Sequence, residues 1–213
     1  MQTRTVETRI HGRYLVDIPE HSRATLVGFH GYQESSAIHF EVLRRIAAGR
    51  VVGLVSVQGL HRFYTRANDV VASWMTKEDR DLAIADNIAY VGHVLTAVAE
   101  ESGLARPLVY VGFSQGVAMA YRAAAFVQRP SDGIIALAGD LPPDVAPVAA
   151  TLPRTLLGRG AADTWYKAEM ATKDLETLSG AGVTAVEHVF EGGHAWEESF
   201  IERAGQFVDE LLS

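Results

Sequence analysis

From residue 24 onward the sequence alternates short, unbroken apolar runs with longer segments whose apolar residues recur every three or four positions. No other feature constrains the fold as strongly. Ala24–Phe29, Val51–Val57, Pro107–Phe113 and Gly133–Ala138 are too short for helices and apolar at successive positions. That is the pattern of parallel strands buried on both faces. Between them, Ser36–Ala48 carries Ile38, Val42 and Ile46 at helical spacing and is closed by Gly49. A long segment opening at Thr76, the expected N-cap, presents Ile84, Ile88, Val91, Leu95 and Val98 as one stripe and ends at Gly103. Gln115–Val127, Trp165–Leu178 and Trp196–Leu212 read as further helices, and Arg154–Leu157 and Val183–Phe190 as further strands. This order implies an α/β fold with a mainly parallel sheet and helices on both faces. Ahead of it, Thr3–Ile10 and Arg13–Ile18 flank His11-Gly12 and predict an N-terminal β-hairpin. The aromatic-bearing insertion Gln58–Met75 predicts a second hairpin about Asn68-Asp69.

The chain's 213 residues suit one domain over 1–213, with no repeat and no Pro/Gly/Ser linker to divide it. Its apolar share of 48% is that of a globular protein and argues against disorder. The absence of cysteine excludes a disulfide scaffold, a thiolate metal site and a cysteine nucleophile. A net charge of −7 disfavours nucleic acid as a partner, since phosphate contact needs a basic face. No run approaches a membrane span, and MQTRTVETRI has no signal-peptide apolar core, so a cytoplasmic location is expected.

In sheets of this kind ligands bind beyond the carboxyl ends of the strands. After the strand ending at Phe113 stands Gly112-Phe-Ser114-Gln-Gly116, a G-x-S-x-G between a strand and a helix. This is the setting of a nucleophile elbow. The two glycines leave room where strand and helix nearly touch, and the turn lifts the seryl Oγ to the sheet edge. The neighbouring helix N-terminus favours developing negative charge there.

A serine alcohol needs a base, and the base needs an orienting carboxylate. Only His188 and His194 follow Ser114. His188 falls inside a predicted strand, whereas His194 lies in the loop Glu191–Trp196 beyond it, so His194 is the expected base. Asp163 and Asp140 both follow strands and could reach an imidazole; Asp163, after the penultimate strand, is preferred and Asp140 is the alternative. Gly158-Arg-Gly160 is no dinucleotide fingerprint, because Asp163 stands where the third glycine is required. The other histidines show no metal-ligand spacing, and no metal or cofactor is expected.

Phe29-His-Gly-Tyr32, Gly112-Phe-Ser-Gln-Gly116, Gly160-Ala-Ala-Asp163 and Gly193-His194 together resemble the α/β-hydrolases of the phospholipase/carboxylesterase group, near the dienelactone-hydrolase-like esterases. The resemblance implies an α/β-hydrolase fold and an oxyanion hole built from the backbone amides of Tyr32 and Gln115. It also implies hydrolysis of carboxylic esters or thioesters through an acyl-enzyme on Ser114. Two departures stand out: Arg159-Gly160 replaces a common His-Gly before the acid, and no cysteine is present to serve as the nucleophile of true dienelactone hydrolases.

The connection from Gly139 to Pro153 is too short for a helical cap, so an open site is expected. Trp74, Leu141, Trp165 and Trp196 are candidate substrate-binding residues, and Trp196 could instead brace the base loop. His30 is expected to order its loop. The expected partner is a small-molecule ester or thioester, with a homodimer left open. An acyltransferase, a peptidase or a non-catalytic binding protein could use the same scaffold.

Overall fold

A computed structural model describes residues 1–213. Its centre is a seven-stranded sheet built from β1 (Arg13–Asp17), β2 (Thr25–Phe29), β3 (Gly53–Gln58), β6 (Leu108–Phe113), β7 (Gly133–Leu137), β8 (Arg154–Gly160) and β9 (Ala185–Phe190). The spatial order is β1-β3-β2-β6-β7-β8-β9, with β1 antiparallel and every other pairing parallel. A separate hairpin, β4 (His61–Tyr64) with β5 (Val70–Ser73), occupies the insertion and turns through Thr65–Asp69, as the sequence predicts.

Five helices cover the sheet. The α1 (Ser36–Ile46) and α5 (Glu198–Leu212) helices lie on one face, where Phe40, Leu43, Phe200 and Phe207 pack on Leu26, Val109, Val111 and Ile135. The α2 (Arg80–Glu101), α3 (Gln115–Phe126) and α4 (Ala168–Gly180) helices cover the other, where Val91, Leu95, Val117 and Leu178 pack on Val27, Tyr110 and Ile134. Alternate residues of β6 point to opposite layers, the two-residue period of a strand buried on both faces. By length and composition α2 is apolar enough to cross a bilayer. Here its stripe of Val91, Val94, Leu95 and Val98 packs into the core, with Asn87 buried beside it.

Four local expectations take a different form. The N-terminal antiparallel pairing is present, but β1 pairs with β3 and Thr3–Ile10 carries no strand. The cause is packing at Gly12: a Cβ there would enter the Tyr90 ring, and the Tyr90 hydroxyl donates to the Arg13 carbonyl at 2.6 Å. The chain is thereby pressed onto α2 and does not reverse. Helix α2 begins at Arg80, because Thr76 Oγ1 accepts from the Glu78 amide in a local turn and Asp79 takes a left-handed φ of 46°. Helix α4 begins at Ala168, because the Trp165 and Tyr166 amides are bound by the Asp163 side chain. Strand β8 runs on to Gly160, where it pairs with Phe190 of β9.

Candidate active site

Ser114 joins β6 directly to α3 and holds φ 51°, ψ −119°, a strained backbone for a residue with a side chain. Its amide donates to the Leu137 carbonyl of β7 at 2.9 Å, which clamps the turn to the sheet. The flanking glycines are sterically required. A Cβ on Gly112 would lie 2.6 Å from Val117 Cα, and one on Gly116 would run into the carbonyl oxygens of Phe29 and His30. The elbow is therefore packed against the loop after β2, the loop that carries Tyr32.

His194 stands in the loop after β9, its imidazole in contact range of the Phe113 ring at a centroid distance of 5.2 Å. His194 Nε2 is 2.8 Å from Ser114 Oγ, and its Nδ1 is 2.9 Å from Asp163 Oδ2. A carboxylate can only accept, so Nδ1 carries the proton and Nε2 is left to accept from the seryl O–H. The Asp163 side chain is fully buried. Its second oxygen accepts from the amides of Trp165 at 2.8 Å and Tyr166 at 3.0 Å, so the carboxylate is held at both ends. Asp140 is exposed on the cleft wall and makes no bond to His194, and His188 lies on β9 between the rings of Phe190 and Phe200. Of the two candidate acids, the fold brings Asp163 to the imidazole.

The amides of Tyr32 and Gln115 have no acceptor within the protein. His30 orders the loop between them and the sheet. Its Nδ1–H donates to the Gly31 carbonyl at 2.7 Å and its Nε2 accepts from the Gly59 amide at 2.9 Å. Burial lowers its pKa to about 4, with the Gly31 carbonyl opposing, so the ring is neutral at pH 7. The Gln115 side chain makes contacts of its own. Its Oε1 accepts from the Trp74 amide at 2.9 Å and its Nε2 donates to the Met75 carbonyl at 3.0 Å. The elbow thus anchors the end of the insertion.

A cleft of about 290 Å³ opens from Ser114 and His194 past Trp165 and Tyr166 to Met75, Arg80 and Arg122. Of the four candidate substrate-binding residues only Trp165 lines it. Trp74 is fully buried, packs edge-on against Phe29, and donates its indole N–H to the His30 carbonyl at 2.8 Å. Leu141 is buried and faces a neighbouring cavity, with its amide bound to Asp174. Trp196 packs between Phe113, His39 and Phe200 and braces the loop of His194 from behind. Sequence reasoning missed Met75, Arg80, Arg122 and Tyr166. For Arg122 a signal existed: Ser114, Ala118 and Arg122 are four residues apart and share one face of the helix that begins at the elbow. No comparable signal marks Arg80.

A search of curated protein sequences finds no significant match. Among solved structures, esterase PE8 has the same fold, with 23% identity over 96% of this chain and 100% of that one and a TM-score of 0.74. A carboxylesterase from Mesorhizobium loti matches at 19% identity, 93% and 94% coverage and a TM-score of 0.76. Zea mays acyl-protein thioesterase 2 matches at 18% identity, 95% and 100% coverage and a TM-score of 0.71. A profile of the phospholipase/carboxylesterase family matches residues 16–212, nearly the whole length, and the chain belongs to that family of α/β-hydrolases.

Proposed function

We propose that the protein is a serine hydrolase of carboxylic esters or thioesters, acting as a single domain. One observation carries the reading: Asp163, His194 and Ser114 form an unbroken hydrogen-bonded line at the carboxyl edge of the sheet, ending on a serine in a strained turn. Ser114 Oγ attacks the acyl carbon as His194 Nε2 takes its proton. The Tyr32 and Gln115 amides donate to the oxyanion. His194 then returns the proton to the leaving alcohol or thiol, and the acyl group stays on Ser114. Water attacks that ester, His194 again takes and returns the proton, and the acid departs. Asp163 fixes the tautomer and stabilises the imidazolium without itself taking a proton. No step requires a metal or organic cofactor.

Family membership and the esterase and thioesterase neighbours support hydrolysis. The test is labelling by a fluorophosphonate probe together with turnover of p-nitrophenyl esters of graded chain length, in wild type and in Ser114→Ala. Labelling and turnover confined to wild type support the reading. A wild type that neither labels nor turns over sinks it, and labelling that survives in Ser114→Ala identifies a different nucleophile.

A further inference from the structure

We infer that the cleft selects an ester bearing a negatively charged group, a carboxylate or its equivalent, remote from the scissile bond, and that Arg80 and Arg122 recognise that group. The inference rests on the hydrolase reading above and adds the class of substrate.

Arg122 lies eight residues beyond Ser114 on α3, about 12 Å along the helix axis. Its side chain is completely buried. Nε and Nη2 donate to the two oxygens of Asp144, each at 2.8 Å. The only partner of Nη1 is the sulfur of Met75 at 3.9 Å. A guanidinium offers five N–H donors, and a thioether is a weak acceptor. Arg122 therefore keeps N–H groups without an oxygen partner, next to Met75, and both residues line the cleft. Leaving a buried charged donor short of acceptors is costly, and an anionic oxygen replacing the thioether would remove that cost.

Arg80 supplies the second cation. It is exposed on the cleft wall with no hydrogen-bonded or ion-paired partner, and its charge already lowers the pKa of Asp144 alongside the larger effect of Arg122. The residue before it, Asp79, holds φ 46°, ψ 40° without a capping bond, a strained conformation that sets the angle at which α2 starts and Arg80 emerges. Arg122 engages both oxygens of Asp144, so Arg80 is left without a direct partner. The one acid lining the cleft is Asp140. Its charge raises the pKa values of Asp174 and Tyr166 at α4 and of Tyr121 on α3, and it shares a second cavity with Lys173. The cleft thus sets two arginines, from α2 and α3, against one acid, Asp140 in the loop after β7.

Two matched pairs of esters test this. The first is mono-p-nitrophenyl succinate against p-nitrophenyl butyrate, with the charge on the acyl group. The second is 4-butyryloxybenzoate against phenyl butyrate, with the charge on the leaving group. The expected result is a preference of roughly ten-fold or more in kcat/KM for the charged member of one pair, the scale of a hydrogen bond to a charged group. The preference is expected to shrink with added salt and to fall mainly through KM in Arg80→Ala, with partial recovery in Arg80→Lys. Neutral members cleaved as well as charged ones in both pairs would overturn the inference and leave the hydrolase reading standing. If no ester is turned over, the hydrolase reading fails by itself, and equilibrium binding to Ser114→Ala decides the anion site. Binding of the succinate ester but not the butyrate, lost on adding Arg80→Ala, upholds it; equal binding of both overturns it.

Discussion

Glu34 Oε2 accepts a hydrogen bond from the Gly31 amide at 2.7 Å. With the His30 contacts it holds the loop that presents the Tyr32 amide, and the backbone of Gln33 and Glu34 is in turn paired with Ala72 of β5. Burial pushes the Glu34 carboxyl above its usual range, while the Gly31 N–H and the charge of His194 draw it back. The Glu34 carboxylate therefore attracts a protonated His194. Glu34→Gln keeps an acceptor for Gly31 and removes the charge, so the acid limb of the kcat/KM profile is expected to move to lower pH. Glu34→Ala also removes the acceptor and is expected to lower kcat roughly 5–10-fold, the scale of one lost hydrogen bond. A pH profile unchanged in Glu34→Gln would refute the electrostatic link.

Gly116→Ala tests the close approach of α3 to the loop after β2. The added Cβ would collide with two backbone carbonyls, and backbone cannot rotate aside as a side chain can. The expected loss is at least about 2 kcal/mol of stability, read as a lower denaturant midpoint. Fluorophosphonate labelling should slow even where the protein remains folded, since the elbow and the Tyr32 loop are pushed apart. A variant with wild-type stability and labelling rate would show that the two segments are not in contact.

Asp174 gives a prediction about pH and stability. Its Oδ2 accepts from the Leu141 amide at 3.0 Å and from the Tyr166 hydroxyl at 2.9 Å, and so ties the loop after β7 and the Tyr166 segment to α4. Burial is the main reason its pKa rises from 3.8 to about 6. A folded pKa above the unfolded value means that the folded state binds the proton more tightly. The associated stability is complete below about pH 4 and is lost as pH rises through about 6. Asp174→Asn cannot ionise and keeps an oxygen acceptor. Its stability relative to wild type should rise by roughly 2 kcal/mol between pH 4 and pH 7. Denaturant unfolding at both pH values checks this, and a constant difference would contradict it.

These relationships also mark what the sequence could convey. The strand–helix alternation and the Gly112–Gly116 elbow are local: the residues that make them are neighbours, and their steric demands are written in order along the chain. The pairing of Ser114 with His194 was legible because strand order restricts which loops share an edge. Trp74, by contrast, looks the same in sequence whether it faces a cleft or the core; its placement depends on a carbonyl of His30, 44 residues away. The same holds for Glu34 and Arg80. Their surroundings come from Ala72 of β5 for Glu34 and from Asp144 for Arg80, each far along the chain from the residue it meets.

The choice of acid yields the sharpest contrast. Asp163 and Asp140 both end strands, but only Asp163 touches the imidazole, with its second oxygen held by two amides. In Asp163→Asn the side chain can turn an N–H toward Nδ1, which selects the wrong tautomer and leaves a proton on Nε2 facing Ser114. Turnover should drop on the order of 10³–10⁴-fold with little change in fold. Asp140→Asn leaves that line intact and removes a charge from the α4 side of the cleft, so its effect should stay within roughly three-fold in kcat, well short of the loss of one charged hydrogen bond. Rates of fluorophosphonate labelling separate the two cases without depending on substrate choice, because labelling needs an activated Ser114 alone. A larger loss in Asp140→Asn than in Asp163→Asn would reverse the assignment of the acid.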